Sequence, residues 1–295
     1  MANTGNAVID APTFRAAIAA FQDLLAQNEQ LLNDLNVYPV PDSDTGSNTL
    51  HTLQAGIASA SGQTINLSKY ANALATGSAK GAMGNSGVIL AQYLQGLAQG
   101  LSQTETPDQC SPSEWQIALK QAATVARESV LTPAEGTMLT IADAAANVAA
   151  QSDFQKYYEQ IHSAVRAAVI ETQNLLPELK AAEVIDAGAL ALSYFHESLA
   201  INFRVSVAPQ VIAVRKPIAV TYAGPTFELM FSVACSQLIK DEIESKIASL
   251  GESIAISGAE PNFNFHIHTN EPDKVIASCE LQREITNIRI SELGN

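Results

Sequence analysis

Apolar residues recur every three or four positions from about residue 11 to residue 202, and after residue 204 they alternate or gather in β-branched runs. One segment cannot satisfy both patterns, because a helix repeats near 3.6 residues and a strand repeats at 2. The chain therefore divides into a helical first part and an α+β second part. Phe14, Ile18, Phe21, Leu24 and Leu25 form one helical stripe in the first part. Gly, Pro, Asn and Ser interrupt the pattern and leave eight helical segments, at 11–35, 47–60, 66–77, 86–101, 112–129, 135–150, 153–175 and 186–203. Ser111-Pro112-Ser113-Glu114 supplies a cap, a first-turn proline and a capping-box glutamate. Trp115, one residue on, reads as a core residue.

Beyond residue 204 the pattern predicts strands at 227–234, 253–257, 262–268 and 286–290, with helices at 236–250 and 271–279. This β-α-β-β-α-β order is the split βαβ arrangement, a small α+β sandwich. Alternation over 262–268 places Phe263, Phe265 and Ile267 on one face and Asn264, His266 and His268 on the other. Val205, Val207, Val211, Ile212 and Val214 fall in a connector. The expected organisation is a helical unit at 1–204, a connector at 205–219 and an α+β unit at 220–295. The fold class is thus α plus α+β, an eight-helix barrel or bundle followed by the small β-α-β-β-α-β unit.

Charge narrows the functions open to such a chain. Its 295 residues include 16 Lys or Arg and 30 Asp or Glu, a formal net charge of −14. Clustered cations, the footprint of a nucleic-acid binder, are not there to be read. No apolar run approaches the ~20 residues that span a bilayer. The N-terminus lacks the basic start and apolar stretch of a secretory signal. Cys110, Cys235 and Cys279 lack paired spacing and suit a reducing cytoplasm better than a disulfide framework. An acidic chain that binds an anion needs metal ions or backbone N–H groups as the positive partner.

Asn36-Val37-Tyr38-Pro39-Val40-Pro41-Asp42-Ser43-Asp44-Thr45-Gly46-Ser47-Asn48 carries the most chemistry. The prolines stiffen a non-helical approach. Residues two apart in an extended turn point the same way, so Asp42 and Asp44 can reach one hard cation such as Mg²⁺. Thr45-Gly46-Ser47-Asn48 then opens a helix whose first N–H groups suit an anion. The same run equally suits a polar turn that caps a helix. Gly77-Ser78-Ala79-Lys80-Gly81-Ala82-Met83-Gly84-Asn85-Ser86-Gly87 is a second, glycine-rich break, without the Lys-Ser or Lys-Thr end of a P-loop. It suits either a phosphate cradle or a helix–helix connection. Glu135-Gly136-Thr137-Met138 and Asp186-Ala187-Gly188 are further breaks at helix starts. All four could converge at one end of a bundle.

With these motifs in order, the chain resembles the nucleotide-binding subunit of dihydroxyacetone kinase and, more closely, the catalytic subunit of bacterial fatty acid kinase. The segments that carry the resemblance are 36–49, 81–90, 135–140 and 184–189. It implies an eight-helix barrel with the nucleotide at one end. It implies that Asp42 and Asp44 ligate paired Mg²⁺ ions, with Asn36 as a further oxygen ligand. Thr45, Gly46, Ser47 and Asn48 would line the phosphates, and Gly84, Asn85, Ser86 and Gly87 would hold the phosphate or ribose end. Met138 would pack on the base beside Thr137, and Asp186 and Gly188 would close the pocket.

The second part resembles the middle domain of the fatty acid kinase subunit, through Tyr222-Ala223-Gly224-Pro225-Thr226 and His266-Ile267-His268-Thr269. In that family a cysteine joins the two histidines around zinc. Pro225 stands at its place and cannot ligate, which leaves His266 and His268 an incomplete set. Cys235 lies further along the strand. The alternative places both histidines toward solvent. His51, His162 and His196 read as ordinary helix residues. Ser43 replaces a glycine between the aspartates, Met83 replaces an arginine in the glycine-rich loop, and Ala189 replaces a second glycine. The family subunit continues into a C-terminal domain beyond the length of this sequence.

The resemblance implies Mg²⁺/ATP-dependent phosphoryl transfer to a small acceptor on a partner, a fatty acid carboxylate on a DegV-family binding protein. Two alternatives stand beside it. One is a dihydroxyacetone-kinase-type subunit that keeps ADP as a relay cofactor. The other is a nucleotide-binding scaffold that has lost transfer. A second copy of the chain is a further candidate partner, through the charge-poor helical surface.

Overall fold

The computed structural model describes residues 8–62, 66–207, 224–279 and 284–293. The expected connector, 205–219, lies outside them from residue 208 onward, as do Val211, Ile212, Val214, Tyr222 and Ala223.

The first part is helical. After the short strand β1 (Ile9–Asp10) come α1 (Ala11–Gln27), α2 (Glu29–Asp34), α3 (Thr45–Ala60), α4 (Leu67–Lys80) and α5 (Gly84–Leu101). Then follow β2 (Gln109–Cys110), α6 (Pro112–Glu128), α7 (Met138–Ala146), α8 (Phe154–Leu175), α9 (Pro177–Ala182) and α10 (Ala187–Asn202). Eight of these helices have nine residues or more, and α2 and α9 have six. The 11–35 segment is broken at Asn28, whose side-chain amide donates back to Leu24 O at 2.8 Å and competes with the helix ladder. The Ser111–Glu114 capping box forms as expected. The pair β1–β2 is unexpected, since two-residue strands carry no periodicity. The long helices pack in succession, α3 on α4, α4 on α5, and so on to α8 on α10, and α10 packs back on α1. Their inner faces form one core. Fully buried Phe14 meets Tyr70 and Trp115 edge-on, and Trp115 Nε1 donates to Tyr158 Oη at 2.9 Å.

The second part contains β3 (Phe227–Ala234), α11 (Gln237–Ile247), β4 (Glu252–Ala259), β5 (Asn262–Thr269), α12 (Pro272–Cys279) and β6 (Ile285–Glu292). Its antiparallel sheet runs β4-β5-β3-β6. One face carries Leu229, Phe231, Val233, Phe263, Phe265 and Ile267 against the helices, a second core separate from the first. The other face is covered over β4 and β5, while β6 stays exposed. It turns to the helical part, where β4 and β5 pack on α5, and Asn264 Nδ2 donates to Ala79 O at 2.9 Å.

Candidate functional site

The segment between α2 and α3 is anchored by buried Val37 and Val40. Asn36 Nδ2 donates to Val40 O at 2.5 Å and to Asp42 Oδ1 at 2.8 Å. Its oxygen accepts the Thr45 hydroxyl, so Asn36 orients Asp42 rather than presenting a free ligand atom. The aspartates do not sit on an extended turn. Ser43 has φ 58°, a left-handed conformation that costs a non-glycine residue about 1 kcal/mol or more. That reversal brings the two carboxyl groups into a mutual hydrogen bond. Asp44 occupies the N-cap of α3 without capping it, and its carboxylate turns to Asp42 and Asn48 instead.

Burial, and then the charge of Asp44, pushes Asp42 up to about 8. Burial likewise raises Asp44. Two desolvated carboxyl groups sharing one proton form a hard-oxygen site in want of a cation, and their donor chemistry fits Mg²⁺.

Gly46 and Ser47, expected to line phosphates, turn the other way. Their amides both donate to Asn33 Oδ1, at 2.7 and 3.2 Å, and Ser47 Oγ donates to Glu29 at 2.7 Å. Asn48 and Gly87 stand behind the wall, where Asn48 meets Gly84 and Gly87 meets Thr52. The start of α3 is therefore already satisfied. The start of α5 is different, since Met83 gives it no side-chain cap and Asn85 Oδ1 is buried without a partner. Uncapped N–H groups at a helix start suit an anion. Most of the glycine-rich stretch is helix, and Gly77 belongs to packing, because a Cβ on it would lie 2.6 Å from Ala55 O.

Asn36, Asp42, Asp44 and Thr45 line a cavity of about 480 Å³ together with Gly84, Asn85 and Ser86. Thr137 and Met138 at the start of α7, and Asp186 and Gly188 at the start of α10, line it too. Four helix starts thus converge. Asp186 accepts from Ala189 N at 2.6 Å, and burial pushes it up to about 7. The Met138 side chain lies against Gly188.

The opposite wall comes from the second part, through Glu228, Gly251, Glu252, Ser253, Ile254 and His268. None of these but His268 is legible as a site residue in the sequence. Tyr38 and Glu178 also line the cavity. Its described lining holds six carboxylates, Asp42, Asp44, Glu178, Asp186, Glu228 and Glu252, and no Lys or Arg.

His266 and His268 are buried, not solvent-facing, because their sheet face is roofed by α4 and α5. Their third partner is Glu228, opposite His268 in the β3–β5 register. The ligand atoms of Glu228, His266 and His268 lie within 4.8 Å of one another. His266 contacts Glu228 Oε1 at 3.0 Å and Ser253 O at 2.9 Å. His268 Nδ1 is buried without a partner. Hydrogen bonding to His266, outweighing burial, holds Glu228 down at about 2. A partly buried carboxylate with two buried imidazoles suits a borderline metal such as zinc. Cys235 lies on the other face of the sheet, in the second core, and does not join them. The spacing of two histidines could not reveal Glu228, because its approach depends on strand pairing across 38 residues.

The family described as the DAK2 domain matches residues 39–200, and the FakA-like middle domain of fatty acid kinase matches residues 224–295. Protein YloV of Bacillus subtilis is 27% identical over 310 residues, covering 97% of this chain and 56% of its own length. An uncharacterized protein of Staphylococcus saprophyticus is 25% identical over 313 residues, covering 97% of this chain and 55% of its own. The chain thus spans about half the length of the curated relatives it matches. The crystal structure of dihydroxyacetone kinase from C. freundii, in complex with AMP-PNP and Mg²⁺, superposes with a TM-score of 0.50 at 19% identity. That match covers 68% of this chain and 36% of the other, and shows likeness of fold. No helix among the described residues is long and apolar enough to cross a membrane.

Proposed function

Because the chain belongs to the DAK2-domain family, with a FakA-like middle domain behind it, we propose that it is a kinase subunit using Mg²⁺-bound ATP. The acceptor is a small molecule presented by a partner protein, a fatty acid carboxylate held by a DegV-family binding protein. The bond between the γ-phosphorus and its bridging oxygen breaks, and ADP leaves with the electron pair. A carboxylate oxygen forms the new bond, giving an acyl phosphate. A carboxylate brings no proton to remove, so the absence of an evident general base is no obstacle.

The observation that carries this reading is the convergence of Asp42, Asp44 and four helix starts on a cavity whose described lining has six carboxylates and no Lys or Arg. A polyanion enters such a cavity only with cations of its own. Mg²⁺ when bound, as a pair of ions in this reading, neutralises the phosphates and the charge that develops in transfer. Asp42 and Asp44 hold it, with Asn36 fixing Asp42. The amides at Gly84, Asn85 and Ser86 receive phosphate oxygens, and Met138 packs on the base beside Thr137, with Asp186 and Gly188 behind. Glu228, His266 and His268 form a zinc site in which Glu228 takes the role of the family's cysteine. The closed succession of long helices supports the barrel reading, and three buried cysteines, none in a disulfide, suit a cytoplasmic setting.

Titration calorimetry with a non-hydrolysable ATP analogue tests this. Binding is expected with Mg²⁺ and lost in EDTA or in the Asp42→Ala/Asp44→Ala double variant. Binding indifferent to either change would refute the site. The scaffold reading is favoured by the left-handed Ser43 between the two aspartates and the uncharged Met83 at the cap of α5. ATP turnover in the presence of the acceptor-bearing partner excludes it.

A further inference from the structure

The loop between α6 and α7 belongs structurally to both parts of the molecule. Val130, Leu131, Thr132, Ala134 and Thr137 line the cavity. On one side the helical part grips the loop. Arg127, in the last turn of α6, pairs with Glu135 at 2.9 Å and also with Asp143 of α7. Thr140 Oγ1 accepts from Gly136 N at 2.8 Å and donates to Glu135 Oε2 at 2.9 Å.

On the other side the loop is paired like a strand. Strand β4 is an edge of the four-stranded sheet. Its open side meets the loop, with Val130 bridging Ala255 in antiparallel register. Leu131 N donates to Ile254 O at 3.1 Å, and Ile256 N donates to Ser129 O at 2.9 Å. These bonds join residues more than 120 positions apart in the sequence. The loop's second half leads into Thr137 and Met138, where the nucleotide reading places the base.

We infer that the second part of the chain positions the nucleotide-binding loop, through main-chain pairing of β4 with Ser129–Leu131. The inference rests on the nucleotide reading of the cavity. The clasp holds the loop in its binding-competent form, so breaking it lowers the population able to bind and weakens apparent affinity by that fraction. Leu131 and Ile256 are thereby positioning residues, acting through their amides.

The test compares Leu131→Pro with Leu131→Ala in the full chain, using the same Mg²⁺-bound ATP analogue. Proline removes the amide that bonds Ile254 O, whereas alanine keeps it and removes only the side chain. Leu131→Pro is expected to weaken binding about tenfold relative to Leu131→Ala, the scale of one lost hydrogen bond and an orphaned carbonyl. Equal affinities in the two variants overturn the inference and leave the nucleotide reading intact. No Mg²⁺-dependent binding by the unaltered chain overturns both.

A measurement on the unaltered chain covers the case in which Leu131→Pro fails to fold. Coupling is reciprocal, so the bound analogue must strengthen the clasp in turn. Amide-resolved hydrogen exchange should slow at Leu131 and Ile256 on addition of the analogue. Slowing confined to 36–48 and 84–90, with Ile256 unchanged, counts against the inference.

Discussion

Asp42 and Asp44 show a site charged beyond what a folded protein holds comfortably. Asp42 rises from an ordinary 3.8 to about 8, chiefly through burial. The folded chain therefore keeps a proton there that the unfolded chain has released. The stability this contributes is complete below about pH 4 and is lost as the pH climbs toward about 8. Asp42→Asn removes the dependence. In divalent-free buffer the variant should melt higher than the unaltered chain at about pH 8, and its melting temperature should fall less between about pH 5 and that point. It should also lose Mg²⁺-dependent nucleotide binding, a gain in stability against a loss of function. Parallel melting profiles for the two proteins would show that the aspartate pair carries no such strain. The pairing of Asp42 and Asp44 is legible at this scale because the two are near neighbours in the chain, whereas the left-handed turn at Ser43 that brings them together is not. Nor is the orientation of Gly46 and Ser47, because Asn33, which claims both amides, comes from the preceding helix.

Glycine has a different use along α5. Gly96 and Gly100 lie one turn apart against α6. A Cβ would stand 2.5 Å from Gln121 O at the first and 2.4 Å from Ala118 Cα at the second. Alanine gains about 1 kcal/mol over glycine in helix propensity. Forcing apart two packed backbones typically costs roughly 1–3 kcal/mol. The contacts here are with backbone, which cannot rotate away, so the steric cost wins. Gly100→Ala is expected to lower the urea midpoint, and a higher midpoint would mean that α5 and α6 can separate freely. Such glycines punctuate the sequence like loop residues. That is why the glycine-rich break that the sequence pattern starts at Gly77 begins inside α4. Strands β3 and β5 were legible to within a residue because alternation is a local signal.

Across the whole molecule, the two parts meet over a sheet face that carries Glu228, His266 and His268. The helical part covers that face, with the two histidines buried and Glu228 partly so. Burying a carboxylate and two imidazoles is costly without a compensating partner, and a metal ion supplies one. Zinc content of the purified chain, measured by plasma mass spectrometry, should fall to background in Glu228→Gln. Re-addition of zinc should raise the melting temperature of the unaltered chelated chain and leave that of the variant unmoved. Equal zinc in the two proteins, or none in either, would discard the site.

What the amino-acid sequence determined by itself was everything carried by neighbours in the chain. That covers the two periodicities, the β-α-β-β-α-β order, the order of the four motifs and, from net charge, the need for cations or backbone N–H groups at an anion site. Tertiary structure alone decided which residues face one another. It turned Ser47 toward Glu29, set Glu228 beside His266 and gave the cavity its second wall. Periodicity records which side of a residue is buried, not what buries it. The contacts that complete the site join elements up to 120 residues and more apart, and only packing brings those together.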